Sequence, residues 1–512
     1  MAQGSRKRPR AHVAGGGEDR LSDLPDGVLG HILSFLPTKE AGRAALLARR
    51  WRHVFANVHT LSFVDEDHDA EDGDTFYYEA EERRSRNGDF LDGVSAALLC
   101  RRRCGGLAPN SSLRAFRVAF DDYHRWDGAM VTQWLYHLME QSKQELHLDL
   151  RLQADRACHR DGAAEDSDSD VEVSEHVEHR YRLPRRLFSL GALRSLRVSY
   201  CKLNPPAAIA LPGVETLHLT GMRESWGTIR RLISGCPRLV DLTLEACAKV
   251  KRVSILDRRL RRFALRCCHD AVSVSLDASE LRTLDYRGAV PAKSFLDLRG
   301  VPRTSSCTAG LCGLGLSGAA MDDDDDNEDG NAKVAGFRKF LENFMEVTHL
   351  HLMSSRLGCM IGLIRGVPTF WSLKQLELTG RLDKCSTVEA VARILEHAPN
   401  LEVLSLFLVP MSSSRMHSWE DDIRCDNGVV AVPDMPDVSV RCLRRRVRRI
   451  NLVHYQGGEA QRMLAELLLR NAMVLEELRV VFPKGGRLAV QAELMDEMEE
   501  WTVNKSAKKM FL

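Results

Sequence analysis

The 512-residue chain contains no run of eighteen or more apolar residues, which excludes a helix able to cross a lipid bilayer. Its opening, MAQGSRKRPR, is basic but leads into no apolar stretch, so a secretory leader is not expected and a nuclear or cytoplasmic setting is. None of the fourteen cysteines forms a C-x-x-C pair, so spacing assigns no metal ligands, and free thiols are expected in a reducing compartment. Cys100 and Cys104 bracket three arginines, while Cys201, Cys247 and Cys268 follow apolar triplets and read as small buried groups. Aromatic residues make up only 6% of the chain and do not interleave with its arginines, which argues against a stacking platform for nucleic acid.

Catalytic signatures are also missing. There is no G-x-S-x-G elbow, H-E-x-x-H helix or phosphate-binding P-loop. Gly313, Gly315 and Gly318 satisfy G-x-G-x-x-G, but the run leads into five consecutive aspartates, which would repel a pyrophosphate. His176 and His179 lie in an acidic stretch without cysteines and read as a solvated pair. No catalytic residue, metal or cofactor is expected.

What is abundant is charge, and it is segregated. Asp65 to Glu82, Glu165 to Glu178 and Asp322 to Asp329 hold 24 of the 71 acidic residues and no Lys or Arg. The rest of the chain, with all 72 basic residues, is therefore strongly basic. Such dense like charge cannot build a core, so these windows read as solvated insertions, with Ser167 and Ser169 exposed in one of them. Arginines cluster at 101–103, 185–186, 230–231, 258–262 and 444–449, chemistry suited to carboxylate or phosphate if several converge. Arg6, Lys7, Arg8 and Arg10 form a compact basic group, a candidate for nuclear import.

Residues 21–63 carry the sharpest local pattern. Pro25, harmless in a first turn, starts a helix that ends before Pro37, with Val28, Leu29, Ile32, Leu33 and Leu36 on one broad stripe and Gly27 and Gly30 weakening it. Thr38 offers a cap for a second helix through about Leu47, and Ala48 to Val58 reads as a third, with Trp51 and Phe55 four apart. A unit of about forty residues buries too little surface to stand alone, so its apolar excess points to a docking surface.

Beyond it, an apolar-x-x-apolar-x-apolar pattern recurs. Examples are Leu193/Leu196/Val198, Val214/Leu217/Leu219, Leu239/Leu242/Leu244, Leu373/Leu376/Leu378 and Leu475/Leu478/Val480. Where uninterrupted, the starts lie 21 to 28 residues apart, a leucine-rich-repeat period. The last two apolar positions alternate as in a strand, and stacked copies bury a core that no single copy could. "GTIRRLISGCPRL" and "VEAVARILEHAPNL" read as helical connections, whereas Val250/Val253/Ile255 and Ala271/Val274/Leu276 read as short extended ones. Near the end, Glu459 to Asn471 forms a helix with Met463, Leu464, Leu467 and Leu468 on one stripe, suited to capping the stack.

The LPD and RRW landmarks of 21–63, followed by these repeats, resemble the plant F-box/leucine-rich-repeat family, and Leu443 to Phe482 is similar to that family's FBD region. The resemblance implies an α/β fold: a small three-helix F-box followed by a curved leucine-rich-repeat solenoid. It implies that Leu24, Pro25, Val28, Leu29, Ile32, Leu33, Leu36 and Trp51 supply the interface with a Skp1-like adaptor and the F-box core. Through that adaptor the chain would reach a cullin and a RING protein. The implied role is the non-catalytic substrate receptor of an SCF-type ubiquitin ligase, binding an unknown target through the repeats. A Skp1-binding scaffold outside any ligase, or a small-molecule-sensing receptor, would carry the same sequence. The expected partition is a disordered basic N-terminus at 1–19, the F-box at 20–63 and an acidic linker with a first helical segment at 64–110. Repeats at 111–442 follow, with acidic disordered insertions near 155–180 and 303–333, then an FBD-like region at 443–482 and a tail at 483–512.

Overall fold

A computed structural model describes residues 23–47, 49–64, 79–105, 112–120, 123–152, 158, 180–257, 259–300, 303–312, 328–357, 367–382, 386–409, 440–483 and 488–512. The basic group Arg6, Lys7, Arg8 and Arg10, the glycines at 313–318, His176, His179, Ser167, Ser169 and most of the three acidic windows lie outside them. Among the described residues no helix is long and apolar enough to cross a membrane. The chain divides into two compact units, Met1–Leu150 and Arg151–Leu512.

The first unit opens with three helices, α1 (Asp26–Leu33), α2 (Thr38–Leu47) and α3 (Arg49–Phe55). Pro25 is extended, and its carbonyl accepts the N–H groups of Val28 and Leu29, which starts α1. Asp26 complements the positive end of the helix. In α2 the N–H groups of Glu40 and Ala41 reach the Pro37 carbonyl, so the helix begins at Thr38, its expected cap, one residue earlier than expected. Thr38 lies within the first turn instead, and its Oγ1 accepts the Ser62 N–H at 2.7 Å.

That bond ties α2 to β1 (Thr60–Val64), which pairs in parallel with β2 (Ala115–Ala119), Thr60 opposite Ala115 and Val64 opposite Ala119. The first strand of the unit thus sits at the end of the stretch assigned to the F-box, directly after its third helix. The long helix α4 (Glu79–Gly105) lies in the stretch 64–110, where an acidic linker with a first helical segment is expected. Helix α5 (Gly128–Gln141) leads to β3 (Leu146–Arg151) beside β2.

Arg101 of α4 is only 2% exposed, and the reason is hydrogen bonding. Its Nη1 donates to the carbonyls of Ala56, at 2.9 Å, and Val58, while Nε donates to Gln141 Oε1 at 3.1 Å. Burial pulls its pKa down to about 10, still far above neutrality, so a charged guanidinium serves the carbonyls of the α3–β1 turn. Arg101 is therefore removed from the arginines available to a target.

The second unit is a parallel stack. Its main sheet runs β4 (Leu193–Ser199), β5 (Thr216–Thr220), β6 (Asp241–Glu245), β8 (Arg262–Arg266), β10 (Thr283–Gly288), β12 (Ser306–Leu311), β13 (His349–Arg356), β14 (Gln375–Arg381), β15 (Val403–Leu408), β16 (Arg449–Val453), β17 (Glu477–Val481) and β18 (Lys508–Phe511). One row of inward residues passes in register through Leu196, Leu217, Leu242, Phe263, Leu284 and Cys307. It continues through Leu350, Leu376, Leu404, Ile450 and Leu478. All eleven are buried, each neighbour covering the next, as stacked repeats require.

The two connections read as extended form β7 (Arg252–Ile255) and β9 (Ser273–Asp277) of a separate parallel sheet, which β11 (Leu296–Arg299) completes. Helices α6 (Trp226–Ser234) and α8 (Ser386–Glu396) fill the connections read as helical.

Strand exits share one conformation. Tyr200, Gly221, Ala246 and Cys267, each the first residue past its strand, all have φ between 50° and 65°. Their N–H groups bond to the carbonyls of Thr220, Glu245, Arg266 and Arg287 at the end of the next main strand. That inter-repeat bond holds three non-glycine residues in the left-handed region, and it directs the following Cys201, Met222, Cys247 and Cys268 into the core.

Two expectations are corrected here. Part of the 303–333 insertion is ordered: β12 fills a repeat place whose inward Cys307 and Ala309 are too small to stand out in a leucine pattern, and α7 (Glu328–Glu342) follows. The expected tail at 483–512 is another unit, α11 (Leu488–Trp501) and β18, with Leu494 and Met498 buried and Glu477 opposite Lys508. Hence the helix at 459–471, here α10, lies inside the stack, with Leu464, Leu467, Leu468 and Leu469 buried and Met463 half-buried. Between it and α8 lies the short α9 (Arg441–Arg445).

Candidate docking surface

Helix α1 is apolar on two faces, and they do different things. Leu29 (1% exposed) and Leu33 point into the core of the three-helix unit. Val28, Ile32 and Leu36, spaced i, i+4 and i+8, are exposed, and Phe35 is 76% exposed. Leu46 on α2 is equally bare. An apolar stripe of this kind, left open by a unit that has already used its other face, is a candidate docking surface.

The residues expected at the interface therefore separate. Val28, Ile32 and Leu36 lie on the open face, Pro25 is exposed, and Leu24 and Trp51 are half-buried. Leu29 and Leu33 are withdrawn from contact and hold the unit together. The single stripe read from the sequence is wide enough to wrap more than one side of the helix, so periodicity alone could not divide it. Phe35 and Leu46 were missed: Phe35 is just past the last turn of α1, off the counted positions, and Leu46 sits in a helix of mixed character.

The two sequence landmarks are joined physically. Arg50, of the RRW triplet, donates through Nη2 to the Leu24 carbonyl and through Nε to Asp26 Oδ1 at 2.9 Å, so it clamps the LPD turn. Behind the turn, Ser34 Oγ donates to the Gly30 carbonyl and accepts the His59 N–H. His59 Nε2 lies 2.8 Å from His31 Nδ1. Partial burial first, and the neighbouring His31 next, hold the His59 pKa below the usual histidine value.

On the second unit, the outward strand positions form a lattice of matched charges. Arg262 pairs with Asp241 at 2.7 Å, Arg266 with Asp285 at 2.5 Å, Arg448 with Glu476 at 3.0 Å and Arg449 with Glu477 at 2.9 Å. His218 Nε2 lies 3.2 Å from Glu245, and this contact, with Arg266 nearby, holds the Glu245 carboxyl below its ordinary range. Arg231 donates to the Pro206 carbonyl. These arginines belong to neighbouring carboxylates and carbonyls and do not converge on a basic pocket. A cleft of about 290 Å³ near the far end is lined by both signs of charge, including Glu402, Arg448, Arg449, Glu476 and Lys508.

Four residues of metal-ligating type that spacing did not connect are brought together. Cys158, Cys267, His269 and Cys312 place their ligand atoms within 4.8 Å of one another. Cys267-Cys268-His269 is the one local hint, a C-x-H rather than a C-x-x-C spacing.

The fold is a helical unit with an open apolar stripe followed by parallel leucine-rich repeats, the arrangement that the resemblance to F-box/leucine-rich-repeat proteins implied. Comparison with known proteins agrees. The F-box domain family matches residues 21–62. The family described as FBD-associated F-box protein At5g56370, LRR repeats, matches residues 164–296. The F-box/LRR-repeat protein At3g59200 of Arabidopsis thaliana is 27% identical over 414 residues, 76% of this chain and 69% of that protein. The F-box protein At4g27050 of the same plant is 26% identical over 494 residues, 92% and 94% of the two chains. The chain is thus similar to plant F-box/LRR-repeat proteins across most of its length, as its motifs implied.

Proposed function

We propose that the chain is a substrate-recognition subunit of an SCF-type ubiquitin ligase. F-box domains in general bind a Skp1-type adaptor. The observation that carries the reading here is the open stripe of Val28, Ile32 and Leu36, extended by Phe35, on a helix whose opposite side is committed to the core through Leu29 and Leu33. The adaptor would cover that stripe and link the chain to a cullin and a RING protein. The repeats would hold a target near a separately bound E2 enzyme, raising the effective concentration of the target's lysines without a nucleophile from this chain. Because Arg262, Arg266, Arg448 and Arg449 already have carboxylate partners, a protein target is better supported than a small anionic ligand. The basic group at 6–10 would direct part of the population to the nucleus.

Reconstitution tests this reading. The full chain, a Skp1-type adaptor, cullin, RING protein, E1 and E2 are combined with proteins captured by an Ile32→Asp variant, which should keep its targets. Ubiquitin chains on a captured protein, lost when Ile32→Asp replaces the unaltered chain, are expected. Adaptor binding without ubiquitin transfer to any captured protein would favour a scaffold outside the ligase.

A further inference from the structure

Two sets stand out among the described cysteines of the second unit. Cys201, Cys247 and Cys268 occupy the same place, two residues past a strand, where each is buried and its Sγ lies near backbone carbonyls of the strand ends. These are packing residues. Cys267 and Cys312 instead lie one residue past β8 and β12. The β10 strand runs between those two, bonded to each, and ends on Gly288, which carries no side chain. The Cys267 N–H bonds to the Arg287 carbonyl at 2.6 Å and the Cys312 N–H to the Gly288 carbonyl at 2.8 Å, so both positions are fixed by the repeat ladder.

His269 comes two residues after Cys267. Cys158 arrives from a remote part of the sequence, 111 residues away, and its Sγ lies 2.9 Å from His269 Nε2. All four ligand atoms fall within 4.8 Å of one another. Zinc held by three thiolates at about 2.3 Å and an imidazole at about 2.0 Å separates its ligand atoms by roughly 3.5 to 3.8 Å. The short Cys158–His269 approach would open and the wider ones close, each by about 1 Å or less on that geometry.

We infer that Cys158, Cys267, His269 and Cys312 form a Cys₃His site for a structural zinc ion, which ties Cys158 to the strand exits of β8 and β12. Binding replaces the three thiol protons, which pass to solvent, and leaves the sulfurs unoxidised. The set is closed: four protein ligands satisfy a tetrahedral ion and leave no place for a reacting water.

The test uses the full chain, reduced, stripped with a chelator and titrated with Zn²⁺, and in parallel with Co²⁺ as a spectroscopic probe. One zinc per chain by elemental analysis is expected, with thiolate-to-cobalt charge-transfer bands and the visible bands of a tetrahedral ion. Cys158→Ser is the cleanest variant, because Cys158 belongs to no repeat strand. It should weaken Zn²⁺ binding by more than about a hundredfold, the upper range for losing even an outer partner of a ligand, with the far-ultraviolet dichroism unchanged. His269→Asn should do the same, and Cys100→Ser should change nothing. Failure of the unaltered chain to hold stoichiometric zinc, retention of full affinity in Cys158→Ser, or recovery of a Cys267–Cys312 disulfide from a reducing cytosol would each overturn the assignment.

Discussion

Gly30 of α1 lies so close to Asn57 that a Cβ at Gly30 would stand 2.6 Å from the Asn57 Cβ and 2.8 Å from its backbone carbon. The glycine that weakens the first helix as a helix is what lets α1 approach the turn after α3. Gly30→Ala gains helix propensity but forces backbone apart, and overpacking of this kind costs about 1 to 3 kcal/mol. A lower denaturant midpoint for the three-helix transition is expected. An unchanged or raised midpoint would mean the turn yields freely.

The division of α1 into two faces predicts opposite outcomes for adjacent positions. Leu29→Ala should destabilise the F-box by about 2 to 5 kcal/mol, as buried leucines do, and lose the adaptor only through unfolding. Ile32→Asp should leave stability within about 0.5 kcal/mol and still abolish capture of a Skp1-type protein. Capture undiminished in Ile32→Asp would remove the open stripe from the interface.

Arg101→Met should be among the most damaging changes to the first unit. It leaves the carbonyls of Ala56 and Val58 without the donor that serves them, and each buried unsatisfied acceptor costs about 1 to 3 kcal/mol. Arg101→Lys should recover only part of the loss, because one ammonium cannot reproduce the Nε contact to Gln141 together with the Nη1 contacts. Thermal melts of the three proteins order them; equality of Met and Lys variants would contradict the fork geometry.

His59, His137 and His351 all have pKa values lowered from 6.5, in each case chiefly by burial. In the unfolded chain these imidazoles take up protons near pH 6.5, whereas the folded chain resists until lower pH. The unfolded state therefore binds more protons in that window. Stability is fully present above about pH 6.5 and is lost as pH falls through the folded values. Denaturant midpoints between pH 7.5 and pH 5 are expected to decline, less steeply in His351→Gln. A flat profile would show that these rings are solvated.

Ending the chain at Phe482 should harm solubility more than a tail's removal would. It strips β18 from β17, where Glu477 faces Lys508 and Val480 faces Phe511, and leaves a sheet edge unpaired. It also removes Leu494, whose side chain lies against Gly457. Aggregation of the truncated chain at concentrations where the full chain stays dispersed is the expected readout in light scattering.

Much of this was legible in advance because the repeats are local. Leu217 and Leu219 announce their strand within a few residues, and the shared period tells which leucines stack. The signal failed where the inward residues are small, as at Cys307 and Ala309, or where the strand is short and basic, as at Lys508 and Lys509. It also failed wherever one apolar stripe had to be shared between two faces.

The sequence by itself determined the class of protein: an F-box-like helical unit, a leucine ladder behind it and no G-x-S-x-G, H-E-x-x-H or P-loop signature. Hydrophobic period and turn chemistry are written in neighbouring residues, so they survive in one dimension. Tertiary structure alone decided that Leu29 is core while Ile32 is open, and that Arg101 serves buried carbonyls. It alone decided that Arg262 and Arg266 are spoken for by Asp241 and Asp285, and that Cys158 meets Cys267, His269 and Cys312. Each of those facts depends on groups far apart in the chain being carried to one place by the stacking of repeats or the packing of helices, and no local pattern records where stacking will bring them.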